Sequence, residues 1–143
     1  MSGYARMLGI YLGSVGAAGV ALRLTGRRLP TLGASDLVLF GVATHHVAHL
    51  LAKEPIASPL RAPFTQFEGP SGPAELKESV QGEGLSRSIG ELLTCPFCLG
   101  QWVATAFTLG AVAAPRLTRL AAALCTVAAL SDGLQLVRSR LQS

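Results

Sequence analysis

Between Glu91 and Arg116 lie 24 residues without a single charged side chain. Nothing else in this chain restricts its fold as much. Crossing a hydrocarbon layer takes about 20 mostly apolar residues, within a range of roughly 17–25. Shorter uncharged runs occur elsewhere: 16 residues between Arg6 and Arg23, and 16 between Asp36 and Lys53. A fourth stretch, between Arg119 and Arg138, is interrupted only by Asp132. Charged residues make up 14% of the chain, against about 25% in an ordinary soluble domain. These runs predict an all-α integral membrane protein with about four transmembrane helices, forming a single membrane domain over residues 1–143.

The expected spans are 4–24, 35–52, 89–114 and 117–137, with a long polar loop at 53–88 between the second and third. The first run carries Gly9, Gly13, Gly16 and Gly19, spaced as close-packing membrane helices are. That spacing favours a retained helix over a cleaved signal peptide. Ser35 is the expected N-cap of the second helix, and Pro55 follows its end. In the loop, three prolines in PIASPLRAPFTQF argue against a regular helix. Leu60, Phe64 and Phe67 suit a membrane surface, with Arg61 at the headgroups. Residues 73–80 fit a short helix, and Ser86 fits the cap of a helix continuing into the third span. Asp132 lies near the end of the fourth span and suits an interface position.

The net charge of +4 invites a nucleic-acid reading, but the basic residues are scattered at helix ends rather than gathered in a stripe with aromatics. The expected partners are the lipid bilayer and other membrane protein subunits, with no nucleic acid. With four spans, the termini and the loop share one side and carry seven Lys and Arg, against five on the other. The positive-inside rule then puts both termini and the long loop in the cytoplasm.

The segment TCPFCLGQW holds the most distinctive chemistry. Cys95 and Cys98 flank Pro96 and Phe97 as half of a zinc or iron knuckle, and a closed zinc site needs four ligands. His45 and His49, four apart on the second helix, share a face and offer the missing pair. The same two cysteines fit a redox-active dithiol, because a helix N-terminus favours a thiolate. They also fit a plain helix start, with Thr94 as cap and Pro96 in the first turn. In that case Gly100 and Ala104 form a packing notch, with Trp102 beside it.

The run ELLTCPFCLGQWVAT, with ATHHVAHLLAKE and SPLRAPFTQFEG before it, resembles a bacterial membrane-protein family, Domain of Unknown Function 1360. The resemblance extends from about Asp36 to beyond Thr105. Its motif residues here include Glu54, Pro59, Arg61, Pro63, Phe64, Glu91, Leu92, Cys95, Pro96, Cys98, Gly100 and Trp102. It implies a bacterial cell-membrane origin and no established activity. Relatives tend to carry arginine on the second helix where this chain has His46 and His49, so these histidines are peculiar to this chain and the resemblance weakens a Cys–His site as a family mechanism. The resulting expectation is a non-enzymatic, multi-pass structural or accessory subunit, with Arg61 and Glu91 as anchoring charges on a partner-facing loop. The alternative is a thiol-redox or metal-binding membrane protein using Cys95 and Cys98.

Overall fold

The computed structural model describes residues 2–142. Its long helices are α1 (Ser2–Leu24), α2 (Ala34–Lys53), α5 (Pro96–Ala113) and α6 (Pro115–Gln142). Two shorter helices, α3 (Ser58–Arg61) and α4 (Gly84–Thr94), flank a hairpin of β1 (Thr65–Gly72) and β2 (Glu75–Val80).

Among the described residues, three helices are long and apolar enough to cross a membrane: Gly3–Leu24, Pro96–Ala113 and Pro115–Gln142. α2 has the length, but three histidines, Asp36 and Lys53 dilute its apolar content, and it is not among them. It is nevertheless the best-packed helix, with Phe40, Ala43, Ala48 and Ala52 buried. Phe40 stacks on Phe107 of α5 at 5.8 Å between ring centroids, and Ala43 clusters with Ala111 and Ala122. Ala48 and Ala52 pack with Leu99. Small residues let the neighbouring backbones close on α2.

These contacts fix the helix directions. The start of α5 meets the end of α2, so those two helices are antiparallel. Asp36 accepts two bonds from Arg119, at 2.8 and 3.0 Å, and His46 faces Asp132, so α2 and α6 run parallel. Tyr11 bonds Thr105 at 2.8 Å, and Arg27 donates to the Ala113 carbonyl, which sets α1 parallel to α5. The start of α1, the hairpin and the end of α6 therefore gather at one end of the bundle. At the other end Ala114 alone separates α5 from α6, as the expected helical hairpin requires.

The segment expected as an irregular polar loop is instead folded, so the protein is not all-α. A 3-10 turn (Pro55–Ala57) and α3 occupy the proline-rich stretch. Prolines sit near the starts of these short helices, where no N–H partner is lost. Residues 75–80, expected as helix, are strand β2. Thr65 pairs with Val80 and Gly72 with Glu75, with irregularities beside Glu68 and Ser71. Six residues are too few for period alone to separate helix from strand. Partners decide it: Gly90 of α4 lies against both Val80 and Phe64, and a Cβ added there would come within 2.6 Å of the valine. Pro73 and Ala74 link the strands, and Ala74 has φ 58°, a left-handed value more usual for glycine.

The third span is not one continuous helix from 89. Proline disfavours the helical conformation at the residue before it, and Cys95 is extended at φ −105°, ψ 104°, so α4 stops and α5 starts anew. α4 begins at Gly84 rather than at a Ser86 cap. α2 begins after Gly33, not Ser35, with Asp36 accepting the Gly33 N–H at 3.2 Å.

Candidate functional site

Among the described residues, Arg61 is the largest fully buried side chain, inside the chain rather than at the expected headgroup position. Its guanidinium binds the Glu78 carboxylate on β2 and donates to the Leu51 carbonyl at 2.6 Å and the Glu54 carbonyl at 3.1 Å. Those carbonyls belong to the negative end of α2, where a cation is favoured. Glu78 also accepts from Ser58 at 3.1 Å, and Thr65 donates to the Arg61 carbonyl at 3.0 Å. One side chain thus fastens the hairpin to the end of α2. Glu91 is half-buried and pairs with Arg87 one turn earlier at 3.1 Å.

At the α4–α5 break, the Cys95 sulfur accepts the Cys98 N–H at 3.2 Å and so caps α5. Thr94, the expected cap, turns back to the Gly90 carbonyl at 2.9 Å. Pro96 starts the helix, Phe97 is exposed, and all three cysteines are free. Trp102 packs edge-on against Tyr11, with centroids 5.0 Å apart. Gly100 has open space in front of it.

The expected meeting of Cys95 and Cys98 with His45 and His49 is not among the groupings that form. Among the described residues, the one cluster of three or more potential metal-ligating groups is His46, Glu54 and Asp132. Their ligand atoms lie within 4.8 Å of one another. They line a cleft of about 520 Å³ between α2, α6 and the hairpin tip, and its lining includes no Lys or Arg. His46 Nδ1 stands 3.6 Å from Asp132, and His49 Nδ1 stands 3.6 Å from Glu54. His49 Nε2 bonds Glu75 at 3.0 Å. His45 is exposed and lies 6.2 Å from His49 between ring centroids.

Helix geometry explains this set. His46 and His49 share one face of α2 at three-residue spacing, and the end of α2 carries Glu54 just beyond. The hairpin turn at Ala74 brings Glu75 over them. Asp132 was legible as a charge within an apolar run, whereas Glu75 had no signal, because its place depends on strand pairing.

The family profile described as "Protein of unknown function (DUF1360)" matches residues 39–138, and the chain belongs to that family. It is similar to "Sporulation protein YjcA" of Bacillus subtilis (strain 168). The two are 29% identical over 107 residues, covering 73% of this chain and 91% of that protein. No solved structure matches the chain.

Proposed function

We propose that this member of the DUF1360 family is a bacterial multi-pass membrane protein that serves as a non-enzymatic accessory subunit of a membrane assembly. α1, α5 and α6 are its exposed spans, and α2 is a fourth span sheltered by α5 and α6. The hairpin headpiece and both termini gather on one side, and the larger number of basic residues there assigns that side to the cytoplasm. Likeness to a protein named for sporulation supports sporulation as the process this subunit serves.

The observation that carries the reading is the uncovered state of α1. None of its apolar window is buried within the chain. Gly9, Gly13, Gly16 and Gly19 all have open space where a Cβ would stand. A glycine face of this kind suits the close approach of a helix from another membrane protein.

The test is a photo-reactive residue at Gly13 in the native bacterium, compared with one at Leu120, an exposed position on α6. A discrete adduct with a different membrane polypeptide from Gly13, and not from Leu120, is the expected result. Adducts with lipid alone, or only between copies of this chain, would overturn the accessory role.

A further inference from the structure

The geometry points to a divalent transition-metal site formed by His46, Glu54 and Asp132, with His49 as a further nitrogen donor oriented by Glu75. It is separate from the cysteine pair and does not rest on the accessory role.

His46 faces Asp132, and His49 Nδ1 faces Glu54, without bonding. At 3.6 Å, the His46–Asp132 and His49–Glu54 separations exceed a hydrogen bond. An ionised carboxylate only accepts, so His49 donates its Nε2 proton to Glu75. In the neutral ring, Nδ1 then presents a lone pair to a Glu54 oxygen. Those two electron-rich atoms repel unless a proton or a metal ion lies between them. No lysine or arginine lines the cleft, so apart from a protonated histidine its lining holds no cation.

The donor set suits an ion of intermediate softness. Imidazole nitrogen with carboxylate oxygen fits Zn²⁺ and its first-row neighbours. With metal–ligand bonds of roughly 2.0–2.2 Å, tetrahedral donor atoms lie about 3.3 Å apart. The His46–Asp132 separation already approaches that value. Asp132 is half exposed, so its side chain can close the remainder. A carboxylate holding the far N–H of a ligating histidine is the usual second layer of a zinc site, and Glu75 stands where that partner belongs. Arg61 fixes the Glu54 carbonyl from below, which holds that residue at the end of α2.

Zinc titration of the untagged full chain in mild detergent, against a competing chelator, tests the site. One equivalent of Zn²⁺ per chain is expected. His46→Ala and Asp132→Asn should each weaken binding by at least about tenfold, and Glu75→Gln by about 10–100-fold. Cys95→Ser with Cys98→Ser should leave it unchanged. Asp132→Asn tests the site without emptying the interior, should His46→Ala fail to fold. Co²⁺ in place of zinc should show no thiolate charge-transfer band. Absence of stoichiometric binding would overturn the site. So would binding that survives Asp132→Asn, or binding lost with the two cysteines.

Discussion

Helices α1 and α2 have 23 and 20 residues, and both follow an apolar run of 16 without charge. By apolar content α1 is the better membrane helix, yet α2 holds the centre. Its neighbours close on Ala43 and Ala48, while Gly9, Gly13, Gly16 and Gly19 of α1 meet open space. Against a lipid background, apolarity alone gives a helix no reason to pack on its neighbours. Small side chains under other helices, together with fixed polar bonds, do. α2 has both: Asp36 to Arg119 at its start, Arg61 at its end. α1 has Tyr11, which bonds Thr105 and accepts from Gln101 at 2.9 Å.

Removing Arg61 should break the comparison most sharply. Arg61→Ala leaves Glu78 buried without its cation and should cost about 3–5 kcal/mol. Thermal unfolding in detergent should show this loss, with early proteolysis in the hairpin. Next comes steric load. Ala43→Leu should destabilise by about 1–3 kcal/mol, because α5 and α6 leave it no room. Gly13→Leu on α1 should change the isolated chain by no more than about 0.5 kcal/mol. Equal losses from the two substitutions would sink the distinction.

A smaller effect is expected at the hairpin tip. Ala74→Gly relieves a positive φ and should stabilise by at most about 1 kcal/mol, read as a modest rise in the headpiece melting point. The smallest effect concerns Glu68, on the exposed side of β1. Hydrogen bonds from Ser79 and Lys77 hold its carboxyl below the usual glutamate value. Because the folded value is lowered, this pairing contributes above about pH 4.3, the ordinary glutamate value, and fades as pH falls through the folded one. An NMR titration should find the Glu68 midpoint below the ordinary value, and Lys77→Ala should move it upward.

Much of the bundle was legible in the chain. The four long helices lie within a few residues of the apolar runs, because burial away from water needs apolar length. Pro96 suited a helix start, yet the expected span ran unbroken from 89; its ring disfavours helix at Cys95 and divides α4 from α5. The hairpin was not legible. β2 is too short for its period to show, and its strand state depends on Thr65 and Phe67 across the ladder. The cysteine segment drew attention as a metal knuckle or as a helix start, and the Cys95 sulfur accepts the Cys98 N–H at the start of α5. The histidines were visible, and so were Glu54 and Asp132 one at a time; Glu75 and the meeting of the set were not. Glu54, Glu75 and Asp132 come from three different elements, and only the turn at Ala74 and the parallel run of α2 and α6 bring them together.

The sequence by itself determined which stretches are apolar enough to be long helices, where they break and which charges lie at their ends. Those properties follow from local composition and from proline geometry. Tertiary structure alone decided that α2 is inside and α1 outside, that Arg61 is buried, and that His46 meets Asp132 rather than Cys95. Each of these depends on which surfaces close against one another, and steric fit between distant segments leaves no trace in the order of residues along either one.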